Sequence, residues 1–397
     1  MALVRMLSIL VLLVLGLAMT QRYLVSGSSP SCNFSAIYNF GDSNSDTGGR
    51  SAAFTQIPPP YGETNLGNPP KRLSNGHVIL DFIICAAERL GLPYMSAYLD
   101  SIGTNFRCGA NFATGDSSIL PGPFSPFDLG IQISQFKQFK SRTTELYKNL
   151  SDSGEPLYPS TFCSSLARIM AHQASNMHVP INPIKSPHNH ICFSLCTNLN
   201  NFNMTVDQIV AAIPGILDGF EAAIQQLYGE GARAFWIHNT GPIGCLPFMA
   251  LPFKFRNGTL DQNGCIAYQN NVVQEFNQQL KERVDQLKNN LSTAAFTYVD
   301  VYSAKLSLIS DAKNQGNLPH IKGYYFSQAT LNEKIYETTA VVQVNGTTIH
   351  GDACGDPQDR ISWDGIHFTD AANSWIASRI LNGSMSDPPV PVANACP

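Results

Sequence analysis

Val206–Tyr228 followed by Ala234-Phe235-Trp236-Ile237-His238, and Ile266–Leu291 followed by Ala295-Phe296-Thr297-Tyr298-Val299-Asp300-Val301, decide the fold: twice in succession a long amphipathic helix runs into a short apolar segment of strand length. That alternation predicts parallel strands joined by crossover helices, an α/β chain. Thr205 stands where the first helix needs an N-cap, and Pro214 is a site for a bend. Working outward, Ala36-Ile37-Tyr38-Asn39-Phe40 reads as a buried strand ended by Gly41. Val78 to Leu90 is apolar at helical spacing up to Gly91, and a last helix is expected from Ala371 to Leu381 with Asn382-Gly383 as its exit. Thr55 to Pro70 is rich in Pro and Gly and reads as loop. Two stretches, Cys163 to Asn201 and Leu318 to Val344, carry no usable periodicity, an uncommon length of irregular chain for a compact domain.

Composition narrows the function. Of 397 residues 44% are apolar, enough for a sizeable core, and only 14% are charged. The 25 basic and 29 acidic residues give a net charge of −4 with no basic run, which argues against a nucleic-acid partner, since phosphate contacts need clustered Lys and Arg. Arg5 precedes a 13-residue apolar run from Leu7 to Met19, short of the ~20 residues of a membrane span. With the small residues that follow, residues 1–27 read as a signal peptide. No later segment reaches spanning length, so no transmembrane segment is expected in the mature chain. Seven Asn-x-Ser/Thr sequons at Asn33, Asn149, Asn203, Asn257, Asn290, Asn345 and Asn382 then predict a secreted glycoprotein. Ten cysteines would meet an oxidising compartment, and Cys245 with Cys265, bracketing a loop with Pro247, Pro252 and Gly258, is the candidate disulfide.

Chemistry is expected at Gly41-Asp42-Ser43, where the first strand ends, because parallel α/β sheets carry reactive groups at the carboxyl ends of their strands. A Ser there needs a base for its proton and donors for the oxyanion it creates. Gly115-Asp116-Ser117 repeats the tripeptide, so position and not spelling distinguishes Ser43. In Trp363-Asp364-Gly365-Ile366-His367, just before the last helix, Asp and His stand three apart around a Gly, and one turn can let the carboxylate orient the imidazole. Paired with Ser43, they make a triad candidate in which Asp364 orients the His367 imidazole as base toward the Ser43 hydroxyl. No Gly-x-Ser-x-Gly elbow occurs.

These residues carry a resemblance. Phe40-Gly41-Asp42-Ser43-Asn44-Ser45-Asp46-Thr47-Gly48-Gly49, Gly109-Ala110-Asn111-Phe112-Ala113-Thr114 and Ser362–Asn373 resemble successive blocks of the plant GDSL esterase/lipase family, within the SGNH hydrolases. Ile237–Pro247 and Val299–Tyr302 read like that family too, and the likeness spans most of residues 34 to 382. It implies a three-layer α/β/α sandwich with a mainly parallel central sheet, flavodoxin-like, filling a single domain over 32–385 with a tail at 386–397. It also implies carboxylic ester hydrolysis without metal or cofactor, on a small-molecule or lipid ester; the signal peptide sets the expected place as the cell exterior or cell wall, with the vacuole as the alternative. Ser43 N–H would be one of three oxyanion donors.

The departures are equally local. The family's second donor is a Gly N–H; here Gly115 comes one place early and Asp116 stands in its position. The third is an Asn side chain, of which Asn198 in Cys196-Thr197-Asn198 is the nearest relic, inside the stretch 163–201. The stretch 318–344 lacks the family's usual cysteine pair. Confined departures between well-matched segments suggest a gene-model or splicing error. Losing one donor costs about 10²–10³ in rate, so the expectation is an esterase of reduced activity, with a catalytically impaired ligand-binding relative as the alternative. His172, His178, His188, His190, Cys192 and Cys196 could be drawn as a metal site, but the family has none there and no metal is expected. The sequence carries no oligomerisation signal.

Overall fold

The computed structural model describes residues 32–151 (apart from 33, 35, 60, 65–70, 89–94, 101, 103, 105, 107–108 and 123–124), 166–170, 205–315 (apart from 248 and 251–258), 340–351 (apart from 345–346) and 360–396. The chain divides into two units, Met1–Cys32 and Asn33–Pro397, and every described element belongs to the second. In chain order these are β1 (Ile37–Phe40), α1 (Gly49–Ala53), α2 (Ile79–Glu88), β2 (Gly109–Asn111), α3 (Leu129–Ser151), β3 (Leu166–Met170), α4 (Val206–Gly229) and β4 (Ala234–His238). After them come α5 (Ala267–Asn290), β5 (Ala295–Val299), α6 (Val301–Gln315), β6 (Ala340–Val344), β7 (Thr347–Gly351), α7 (Asp370–Leu381) and β8 (Ser386–Asp387).

Six strands form one sheet in the order β2-β1-β3-β4-β5-β8. The first five pair in parallel, and β8 closes the edge antiparallel to β5. From β1 the chain goes to β2 on one side and then to β3 on the other. At such a reversal two strand-to-helix loops part and leave a crevice beyond the strands' carboxyl ends.

Alternation along the strands explains why they are apolar throughout. Tyr38, Phe40, Phe235, Ile237, Phe296 and Tyr298 join one apolar cluster with Phe136 and Phe139 of α3, Phe220 of α4 and Phe276 of α5. Their neighbours Asn39, Trp236, His238 and Val299, which point the other way, are buried as well. Phe235 and Phe296 stack at 4.8 Å and Phe40 and Phe112 at 5.3 Å between ring centroids. A second set of helices, α2, α6 and α7, makes contacts within itself.

Local signals set the helix ends. Thr205 caps α4 through a reciprocal box with Gln208, and Pro214 is accommodated inside that helix. Thr369 caps α7, its side chain accepting from the Ala372 N–H at 3.3 Å. The strand expected to reach Val301 stops at Val299, because the Asp300 carboxylate accepts the Ser303 N–H (3.0 Å) and hydroxyl (2.6 Å) and starts α6 instead. Two strands fall inside the stretches without periodicity: β3, which pairs between β1 and β4, and β6, which forms a hairpin with β7. The remainder of those stretches, and residues 1–27, lie outside the described residues. Among the described residues no helix is long and apolar enough to cross a membrane.

Candidate active site

The site grows from the floor laid by β1 and β2. Asn39 and Asn111 are register partners on these strands, and both are buried. Asn39 Nδ2 donates to Asn111 Oδ1 (2.7 Å) and Ser45 Oγ (3.0 Å); Asn111 Nδ2 donates to the Ser45 carbonyl (2.7 Å) and Thr47 Oγ1 (2.9 Å). Both NH2 groups are thereby satisfied, which fixes the turn after β1 at low cost in unmet polar groups. Gly41 is clamped from α3, its N–H donating to Gln132 Oε1 and its carbonyl accepting from Gln132 Nε2 (2.9 and 2.8 Å). Asp42 braces the turn by accepting from the Asn44 N–H at 2.9 Å. Asp46 then gathers the N–H groups of Gly48, Gly49 and Arg50 at the start of α1 and that of Gly115 in the loop after β2 (2.8, 2.6, 2.9 and 2.8 Å).

Ser43 sits on this turn, buried. Neither its N–H nor that of Asp116 has a hydrogen-bond partner among the described residues. Asp116 has φ +66°, a backbone conformation that suits Gly, Asn or Asp, so it occupies a Gly position in a Gly conformation. Its carboxylate pairs with Arg50 Nε at 3.2 Å. Burial pushes that carboxyl up to about 6, against the pull of Arg50 and His367. Gly115, the other residue expected at this donor position, does not offer a free N–H, because Asp46 holds it.

At the other end of the chain, Ser362 to Phe368 is a closed loop. Ser362 and Phe368 form an antiparallel bridge, the Trp363 N–H donates to the His367 carbonyl (2.8 Å), and the Thr369 N–H donates to the Ile361 carbonyl (2.9 Å). Gly365, at φ +90°, makes the reversal. Within it Asp364 Oδ1 accepts the N–H groups of Ile366 and His367 (2.9 and 2.7 Å), and Oδ2 meets His367 Nδ1 at 2.5 Å and the Tyr61 hydroxyl at 3.0 Å. Both side chains are buried. Burial alone would drag the imidazole down, but the Asp364 charge and hydrogen bond, with Asp42 and Asp116 behind them, hold it above its ordinary value. Burial likewise works to raise Asp364, and the His367 charge with these hydrogen bonds holds it below the ordinary carboxylate range. With Nδ1 engaged, Nε2 is left buried and without a partner among the described residues.

The two ends meet. Lys305 Nζ of α6 donates to Asn44 Oδ1 (3.2 Å), next to Ser43, and lies 4.5 Å from the ring centre of Phe368, next to His367. Arg72 donates to the Thr47 carbonyl and pairs with Asp81 at 2.7 Å, while the segment it opens binds the last block. Ser74 Oγ donates to the Phe368 carbonyl (3.1 Å), Asn75 Oδ1 accepts the Asp370 N–H (2.7 Å), and both the N–H and Nδ1 of His77 reach Asp370 Oδ1 (2.6 and 2.7 Å). Nothing local in the sequence marks His77 as the partner of Asp370. Tyr61, Arg50, Arg72 and Lys305 were likewise missed; each acts on residues distant in the chain, and nothing local marks them.

Of the remaining expectations, Cys245 and Cys265 are joined in a disulfide. Asn290 and Asn382 are exposed at the ends of α5 and α7, and Asn149 lies in α3. Asn33, Asn198, Asn203, Asn257 and Asn345 lie outside the described residues, as do His172, His178, His188, His190, Cys192 and Cys196. Among the described residues no cluster of His, Cys, Asp or Glu is arranged to hold a metal ion.

Comparison with known proteins places this geometry in context. The family model of the GDSL-like lipase/acylhydrolases matches residues 37–380. A GDSL esterase/lipase of Arabidopsis thaliana is 42% identical over 98% of this chain and 97% of its own length. A GDSL esterase/lipase of Zea mays is 40% identical over 94% of this chain and 91% of its own, and an esterase of Hevea brasiliensis 39% identical over 93% and 90%.

Proposed function

The chain belongs to the GDSL-like lipase/acylhydrolase family of carboxylic ester hydrolases, and on that premise we propose that it is a secreted serine esterase working through Ser43, His367 and Asp364. One observation carries the reading: Asp364 takes Nδ1 of a buried imidazole whose Nε2 is left unpaired, in a loop tied through Lys305 to the turn that bears Ser43.

His367 Nε2 removes the Ser43 hydroxyl proton as Oγ attacks the ester carbonyl carbon, and the carbonyl oxygen becomes an oxyanion. The unpartnered N–H groups of Ser43 and Asp116 supply two donors for it. The imidazolium, stabilised by Asp364, gives its proton to the departing alkoxide, so an alcohol leaves and an acyl group stays on Oγ. Water, deprotonated by the same Nε2, attacks that acyl carbon; a carboxylic acid leaves and Ser43 regains its proton. Since His367 must be neutral to act as base and is held above its ordinary value, kcat/KM should climb with pH through an imidazole ionisation above 6.5.

The fold behind this site is a three-layer α/β/α sandwich of flavodoxin-like order. The parallel order β2-β1-β3-β4-β5, the burial of β1, β4 and β5 on both faces and two separate sets of helices support it. Residues 1–27 form a signal peptide, 32–385 one hydrolase domain and 386–397 a tail. The exposed sequons at Asn290 and Asn382 fit glycosylation on export. A second reading, a ligand-binding relative with impaired catalysis, draws on the loss of the Gly115 N–H to Asp46. Hydrolysis of a short-chain chromogenic ester tests the choice, with Ser43→Ala as control. The esterase reading expects activity that the substitution abolishes and fluorophosphonate labelling of the native protein alone. Equal activity in both proteins would refute the mechanism, and a native protein that resists the label would favour the binding reading.

A further inference from the structure

Lys305 is a buried lysine, 3% exposed, that takes no part in the proton transfers of the proposed reaction. A lysine is seldom buried to that degree, because its ammonium must exchange water for fixed partners. Here its stem crosses Gly241, where a Cβ would come within 2.8 Å of Lys305 Cδ, so the bare backbone after β4 leaves the channel it runs through. The base of α6 is fixed independently. Asn239, also just beyond β4, donates to Asp300 Oδ1 (2.9 Å) and accepts the Tyr302 N–H (2.9 Å). From that rigid base the ammonium reaches Asn44 of the Ser43 turn and the Phe368 ring of the His367 loop.

From this geometry we infer that Lys305 is a positioning residue for ester hydrolysis: it holds the Ser43 turn against the His367 loop and so sets the approach of Oγ to Nε2. The inference rests on the proposed Ser43–His367 chemistry and adds to it the part that joins the halves. Asn44 has a double task, since its Nδ2 also donates to Asp42 Oδ1 (3.1 Å), the residue on the other side of Ser43. The ammonium thus reaches the nucleophile turn through a side chain that belongs to one neighbour of Ser43 and grips the other. Its contact with Phe368 is a cation against a ring face, which fixes a distance while leaving the imidazole free to exchange protons. Hydrogen bonds between the Ser43 and His367 side chains are absent in this arrangement, so the spacing of the two segments governs how often the contact forms.

The test uses the full secreted protein and a short-chain chromogenic ester, with Lys305→Met, Asn44→Ala, the double variant and Ser43→Ala, each checked by thermal melting. Lys305→Met should lower kcat and the fluorophosphonate labelling rate about 10- to 100-fold with KM within about twofold, the scale set by misplacing reacting groups by an ångström or less. Asn44→Ala should act in the same sense, and the double variant should fall no further than Lys305→Met alone, because both remove one link. Asn44→Ala leaves the buried lysine in place and so carries the test if Lys305→Met does not fold. The inference is overturned by native kcat in Asn44→Ala, by native kcat in a folded Lys305→Met, or by strictly multiplicative losses in the double variant. Ser43→Ala separates the two levels: if it retains native activity the underlying mechanism fails, whereas an inert Ser43→Ala beside a native-like Asn44→Ala removes the Lys305 role alone.

Discussion

Replacing Asp116 by Asn should stabilise this protein, and by an amount that grows with pH. The carboxyl is 11% exposed, and burial pushes it up to about 6 from an ordinary 3.8, the Arg50 contact notwithstanding. A folded state that binds the proton more tightly than the unfolded chain loses stability as pH rises. Below 3.8 both states are protonated and the group costs nothing. Between 3.8 and 6 only the folded chain keeps its proton, and above 6 the whole cost of a buried, constrained carboxylate is present. At about 1.4 kcal/mol for each pH unit of displacement, that cost is about 1 kcal/mol at pH 4.5 and about 3 kcal/mol at pH 7.5. The attraction of Arg50 already lies inside the net displacement, so it is not subtracted again. Asn keeps the size of the side chain and tolerates φ +66°, which leaves the backbone unstrained by the change.

Urea unfolding of both proteins at pH 4.5 and 7.5 reads this directly. Asp116→Asn should exceed the native protein by about 1 kcal/mol at the lower pH and about 3 kcal/mol at the higher. A difference that is flat or narrows with rising pH refutes the reasoning, since only an ionisation raised by folding gives that slope. The substitution has a kinetic corollary. Asp116 is one of the charges that lift His367, so its removal should move the acid limb of kcat/KM toward lower pH.

Asp364→Asn should cut kcat about 10³–10⁴-fold, because an amide can offer Nδ1 a donor and hold the wrong tautomer; steady-state kinetics on a chromogenic ester would show it. Gly109→Ala should cost about 3 kcal/mol or more by urea unfolding: φ is +118° and the added Cβ would meet the Ile37 carbonyl oxygen at 1.7 Å, a backbone atom of the paired strand. Removing the Cys245–Cys265 bridge in a Cys245→Ala, Cys265→Ala variant should cost about 3 kcal/mol, from the entropy of a loop closed across a separation of 20 residues, measured by melting of the two proteins under non-reducing conditions.

What the sequence made legible follows contact range. Asp364 and His367 stand three apart, so one turn decides their meeting and the spacing announces it. Helices α4, α5 and α7 end close to where caps and periodicity put them, for the same reason: Thr205 and Thr369 act on their own helices. Lys305 meets Asn44 across 261 positions, His77 meets Asp370 across 293 and Arg50 meets Asp116 across 66; only the sheet order brings them together, and no pattern in a window of residues can show it. Strand β3 was hidden differently. Leu166-Ala167-Arg168-Ile169-Met170 neither alternates nor runs unbroken in apolar residues, yet it lies between β1 and β4 at the centre of the sheet. The repeated tripeptide is where spelling and position finally agree. Gly41-Asp42-Ser43 follows β1 and Gly115-Asp116-Ser117 follows β2, its parallel neighbour. The Thr114 N–H donates to the Gly41 carbonyl (3.2 Å), and Asp46 spans from one loop to the other. Two like-spelled turns on paired strands are therefore bonded side by side. The second turn differs in setting its Asp at φ +66° with a buried carboxylate beside an unpartnered N–H, and on the proposed mechanism substitution of Asp116 should therefore move rate and stability together.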